Sequence, residues 1–170
     1  MRAKAVVLLF FFFVAAPSVT TTVAKIKFGK GEYLKLIEAY KQRTNPGRWE
    51  GLPHPATKFV IVWESKKQIE TFFWKSPEGA WQACNISKAR KNPAKGDTPP
   101  GMDYFTDAIS PENIEKGDTL MITATAGGKF PVPEVAATDG NSNLYFKAGG
   151  SDWIKFHVDS IGRKHDVITP

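Results

Sequence analysis

A chain of 170 residues can bury one proper core, and its 42% apolar and 12% aromatic content excludes a disordered polymer. The single cysteine, Cys84, excludes an intramolecular disulfide framework, so the fold must rest on packing. The formal charge of +6 hides an asymmetry: residues 25–95 hold fifteen Lys/Arg against six Glu, and residues 96–170 hold six against eleven Asp/Glu. Two readings follow from that asymmetry. Either the halves interleave and their charges face water, or a basic face meets an anionic partner such as an acidic glycan, an acidic protein or a phospholipid surface.

The N-terminus has its own logic. Arg2 and Lys4 precede a run of 12 apolar residues, Ala5 to Ala16, followed by small residues. That is the layout of a secretory signal peptide, with cleavage after Ser18 or Ala24. Residues 1–24 are therefore set aside as the signal and residues 25–170 as one domain. The expected location is extracellular, or periplasmic in a bacterium. Nothing after residue 24 approaches the roughly 18 apolar residues of a membrane span.

The mature chain opens with KIKFGKG, a first edge strand ended by glycines. In Gly31 to Arg43, Tyr33, Leu36, Ile37 and Tyr40 fall at i, i+3, i+4 and i+7, which predicts an amphipathic helix stopped by Thr44-Asn45-Pro46-Gly47. The Pro- and Gly-rich loop 44–56 contains Trp49 and His54, and Trp49 serves there either as a plug over the core or as an exposed recognition platform.

Residues 57–84 carry the strongest strand signal and three of the five tryptophans. Phe59–Trp63, Ile69–Trp74 and a third run from Ala80 to Cys84 read as consecutive antiparallel strands of a meander. Ser65-Lys66-Lys67 marks the first hairpin tip. Ser76-Pro77-Glu78-Gly79 marks the second, with Pro and Gly where a type I turn prefers them. Ser76 to Trp81 resembles the aspartate box of sialidase-like hairpins, with Glu for Asp and a shorter spacing, which implies a hairpin and no activity.

Ser87 to Pro100 is polar and reads as the longest exposed loop, carrying Lys88, Arg90, Lys91 and Lys95. Asn85-Ile86-Ser87 at its start is an N-glycosylation sequon. Ser110 and Pro111 begin a short second helix that Gly117 ends. Leu120–Thr125 is a strand, Lys129–Val135 an edge strand or extended loop, and Thr138–Ser142 a turn. Leu144–Lys147 and Trp153–Ile161 close the chain as strands. In the last one, Trp153, Lys155, His157 and Asp159 alternate with Ile154, Phe156 and Val158, giving one mixed and one apolar face. Seven or eight short strands predict an antiparallel β-sandwich, with the two helices covering an edge or end.

Chemistry-bearing patterns are sparse. Glu115 to Leu120 resembles the start of a strand in cupredoxins, but no His follows Cys84 until His157, so a copper site is not supported. The three histidines have no ligand spacing. Gly149 to Trp153 begins like a nucleophile elbow, yet Trp153 replaces the final Gly and two strands flank it. Glu64 and Glu70 form a carboxylate pair only if they meet across the first hairpin, where their flanking lysines point instead to solvated cross-strand charges.

The expectation is therefore a non-enzymatic module, without cofactor or metal, that recognises an extracellular protein or glycan. Trp49, Lys66, Lys67, Trp74, Lys88, Arg90, Lys91, Lys95 and Trp153 are its candidate contacts, and nucleic acid is disfavoured by the acidic second half. Two alternatives stand beside it: a small secreted hydrolase assembled from Ser151, Asp152 and His157, and a structural subunit of an extracellular assembly.

Overall fold

The computed structural model describes residues 24–43, 56–91, 104–124, 139–159 and 161–165. They form ten strands: β1 (Ala24–Gly29), β2 (Glu32–Arg43), β3 (Ala56–Glu64), β4 (Ile69–Lys75), β5 (Trp81–Lys91), β6 (Tyr104–Ala108), β7 (Thr119–Ala124), β8 (Asn143–Ala148), β9 (Ile154–His157) and β10 (Gly162–His165). The ladder runs β1-β2-β3-β7-β5-β4-β8-β9, with β10 beside β2 and β6 beside β5. All pairings are antiparallel except that of β10 with β2.

The main class is β, as expected, but the expected two-layer sandwich is instead one ladder curled into a nearly closed barrel-like sheet. Its interior holds Leu34, Leu36, Phe59, Ile61, Trp63, Phe72, Trp74, Leu120, Ile122, Leu144 and Phe146, all shut off from water. The long strand β5 makes the curl. Its first residues pair with β4, its middle with β7, and its end with β6 on the opposite edge.

The helix expected over Gly31–Arg43 is strand β2. The cause is a bulge: Leu36 opposes Ile61 and Glu38 opposes Val60, so Ile37 is an extra residue. Leu34 and Leu36 face the interior, and after the slip Ala39 does too, while Ile37 and Tyr40 join a second cluster with Val60, Ala89 and Met121. One inserted residue in a period of two produces the three- and four-residue spacings that mimic a helix. The second expected helix is reduced to a single 3-10 turn at Pro111–Asn113. Ser110 precedes it without a side-chain cap, and Ile114 after it packs on the core. No α-helix occurs among the described residues, so none there is long and apolar enough to cross a membrane.

Two further expectations are corrected. Residues 65–68 do not form a hairpin tip, because β3 pairs with β2 and β7 while β4 pairs with β5 and β8. The segment is an arch across one end of the barrel, fixed by Lys67 N–H donating to Ser65 Oγ (3.0 Å) and Trp63 Nε1 donating to the Lys67 carbonyl (3.2 Å). Ser87–Lys91, expected in a loop, is the end of β5, and the segment after Met102 contributes β6. The Ser76–Gly79 turn is present, with Gly79 N–H bonded to the Ser76 carbonyl and Gly79 at φ +86°. The loop 44–55, residues 92–100 and the expected strand at 129–135 lie outside the described residues.

Candidate functional site

The sequence-derived contact residues do not converge. Trp49 and Lys95 lie outside the described residues, and Lys91 ends β5. Lys66 is exposed on the arch. Lys67 pairs with Glu32 at 3.1 Å, Lys88 with Asp118 at 2.6 Å and Arg90 with Asp107 at 2.9 Å. Two of these pairs join the basic first half to the acidic second half, so there the halves answer each other. Desolvation raises the Asp118 pKa, but the Lys88 hydrogen bond, the Glu115 N–H and the Lys88 charge outweigh it and hold that carboxylate below its usual range. Asn85 is exposed on β5 opposite Thr123.

Trp74 is a core residue. It is wholly buried and packs edge-on against Phe59, with ring centroids 4.9 Å apart. Its Nε1–H has no partner among the described residues, a cost of about 1–3 kcal/mol that aromatic packing must offset. Lys75, its neighbour in sequence, necessarily points to the other face of the strand.

That other face gathers what the sequence scattered. Register places Lys75 beside Trp81, Asn143 beside Lys75, and His157 beside Asn143. In the next outward row, Ala83, Phe73, Tyr145 and Lys155 line up. Phe73 and Tyr145 are buried, with Trp81 and Trp153 half-buried against them. The rings connect: Trp153 to Phe73 at 5.6 Å, and Trp81 to Tyr145 at 5.2 Å. An ammonium covers each end, Lys147 Nζ 5.1 Å from the Trp153 ring and Lys75 Nζ 5.3 Å from the Trp81 ring. From the row of Asn143 to that of Lys147 the strip spans about 14 Å at 3.4 Å per residue.

Asp139 pins this face. Its carboxylate takes Lys155 Nζ at 2.6 Å and the Tyr145 hydroxyl at 3.2 Å, and its carbonyl accepts from Lys75 Nζ. The Lys155 hydrogen bond chiefly lowers the Asp139 pKa against desolvation, aided by the Lys155 charge, Tyr145 and Lys75. Burial raises the Tyr145 pKa, and the Asp139 charge and its hydrogen bond add to this against the Asn143 hydrogen bond. Asn143 donates to the Gly140 carbonyl at 2.7 Å, and its Oδ1 lies 3.3 Å from His157 Nδ1. The mixed face predicted for the last strand is real, and Trp153 and His157 are both on it. Trp81, Lys147 and Asp139 were missed. Trp81 directly follows a turn, and only cross-strand register brings it beside Lys75.

A separate cleft of about 370 Å³ opens at one end of the barrel, lined by Lys41, Pro77, Glu78, Ser142, Val158 and Ile161 among others. Lys41 and Glu78 pair across it at 3.3 Å, and Ser76, the Glu78 backbone and Lys41 together lower the Glu78 pKa.

Among the described residues the two hydrolytic arrangements considered from the sequence are not assembled. Ser151 Oγ donates to the Asp152 carbonyl in the β8–β9 turn, whereas His157 ends β9 and bonds Asn143. Glu70 accepts the Gly150 N–H at 2.6 Å instead of meeting Glu64. Cys84 packs against the core, and burial pushes its thiol pKa far up, away from the reactive thiolate. Among the described residues no group of three or more His, Cys, Asp or Glu is placed to hold a metal ion. No protein-family model, curated protein or solved structure matches this chain.

Proposed function

We propose that this chain is a secreted, non-enzymatic binding module whose ligand face is the outer surface of β5, β4, β8 and β9, and that its ligand is an extracellular glycan carrying acidic groups. The observation that carries this reading is the continuous aromatic strip with an ammonium over each end ring. Half-buried indoles offer flat faces to sugar rings, Lys147 places an ammonium beside them, and Lys155, paired to Asp139, and His157 border the same face. Lys67 of the arch and Lys88 and Arg90 of β5 are engaged in ion pairs, whereas the aromatic strip lies on the sheet.

The secretory signal belongs to the same proposal. Ala24 pairs with Leu36 and packs on the core, which favours a cut after Ser18 over one after Ala24.

The test is a glycan array on the mature protein followed by titration of tryptophan fluorescence with the best acidic and neutral oligosaccharides. Acidic glycans are expected to bind preferentially, and Trp153→Ala or Lys147→Ala to weaken binding about tenfold or more with the melting temperature little changed. Binding that survives both changes, or the absence of any acidic-glycan signal, would remove this face as the ligand site.

A further inference from the structure

We infer that the seam between β1 and β9 is a strand-acceptor site, filled by an extended segment of a partner protein whose residues alternate between apolar and acidic. The barrel-like sheet is incomplete there. β1 and β9 are the two ends of the ladder, and among the described residues each pairs along one edge only. A free edge presents a row of unpaired N–H and C=O groups, the template that strand addition uses.

The side chains on both surfaces of the seam fit that occupant. On the interior side, Ala24, Ile26, Phe28 and Ile154 pack on the core yet stay half-buried, while the interior residues of β3, β7 and β4 next to the core centre are closed to water. The wall of the core is thus thin along β1, as it also is at Cys84 and Ile86 of β5. On the outer side, Lys25 and Lys27 of β1 and Lys155 and His157 of β9 are exposed. Lys25 lies over the Tyr33 ring at 3.8 Å, and neither Lys25 nor Lys27 has a carboxylate partner among the described residues. A strand added at this edge would turn every second side chain into the thin wall and every other one outward beside Lys25 and Lys27, whereas Lys155 on the β9 side is already paired to Asp139. Carboxylates on the outward positions would then face lysines across the ladder, the favourable cross-strand arrangement. The same lysines repel a second copy of β1, so the seam selects against self-pairing and for an acidic strand. The six residues of β1 offer about 20 Å of edge. The seam meets the ligand face along β9, but its β1 lip with Lys25 and Lys27 lies apart from that face, and the inference stands on that lip.

The experiment uses the full mature chain and a blocked peptide of about seven alternating Val and Glu residues, the length of a typical strand. Backbone hydrogen exchange is followed residue by residue with and without peptide. Saturable binding is expected, with exchange slowed at least about tenfold in Ala24–Gly29 and Ile154–His157 and unchanged in β3 and β7. Lys25→Glu with Lys27→Glu should weaken the acidic peptide about tenfold or more and restore binding to a Val–Lys peptide. That rescue separates a lost interaction from a misfolded edge. Three results would overturn the proposal: protection that maps elsewhere, equal binding of the acidic peptide to wild type and the double variant, or strong protection in the free protein of those β1 amides that point away from β2, which would mean that the chain's own residues fill the seam.

Discussion

Phe146 is the point at which the interior depends on several strands at once. Its ring lies 5.3 Å from Phe28, 5.9 Å from Trp63, 5.4 Å from Phe72 and 6.4 Å from Phe156, and it is wholly buried. Phe146→Ala removes the buried ring and leaves a hole, a change that costs about 3–5 kcal/mol in cores of this kind. The upper end applies here, because the four neighbouring rings are held by four different strands and cannot close on the hole together. Each lost ring pair also removes about 0.5–1.5 kcal/mol beyond simple burial. At about 5 kcal/mol, and about 2–4 °C per kcal/mol for a domain of this length, the melting temperature should fall by roughly 10–20 °C. Thermal melting followed by far-ultraviolet circular dichroism reads the shift. Hydrogen exchange reads its location, since Phe28 stacks on Trp63 and meets Phe146, so β1 should lose protection first. A shift under about 3 °C would refute the reasoning, because the interior would then not rest on this ring cluster.

Two further outcomes follow from the same structure. The folded pKa of Asp118 lies below its ordinary 3.8, so its contribution to stability is complete above that value and is lost as pH falls through the folded pKa; Asp118→Asn should lower the melting temperature at neutral pH, with the difference vanishing in strong acid. Gly149 sits at φ +58° with an added Cβ 3.0 to 3.1 Å from Lys67 carbons, so Gly149→Ala should destabilise by about 1–2 kcal/mol from the left-handed backbone alone, measurable by urea titration, and an unchanged midpoint would contradict that placement.

Legibility varied with the kind of information required. The alternation in Trp153–Val158 was readable because β9 has one interior and one exposed face. Ile69–Trp74 was readable as a strand, but its outer face is also aromatic, so composition did not say that Trp74 faces in while Phe73 and Lys75 face out. Parity alone did say that Trp74 and Lys75 cannot share a face. The Ile37 bulge was invisible because an inserted residue and a helical turn give the same apolar spacings. Ser87–Lys91 looked like a loop because no tight turn joins it to its partners β6 and β7, and its polar side chains are answered by Asp107 and Asp118 instead of by an apolar neighbour. Whether the strands stack in two layers or curl in one ladder depends on which edges meet, and local alternation is the same in both.

The reach of β5 has a consequence for how this protein comes apart. Three residue pairs, Phe73 with Ala83, Trp74 with Gln82 and Lys75 with Trp81, join the β4-β8-β9 group to the rest of the ladder, whereas β5 meets β7 through five. Pulled along the strand direction or warmed toward melting, the molecule has a tear line at that short ladder. On one side lie the other seven strands, including the local β1-β2 hairpin. On the other lies a three-stranded leaf that borrows its interior wall from Phe28 and Trp63 across the barrel. The tear line runs through the aromatic strip, parting Trp81 on β5 from Phe73, Tyr145 and Trp153, while the leaf carries one lip of the open seam, so partial opening along this line would take the strip apart as it frees that lip.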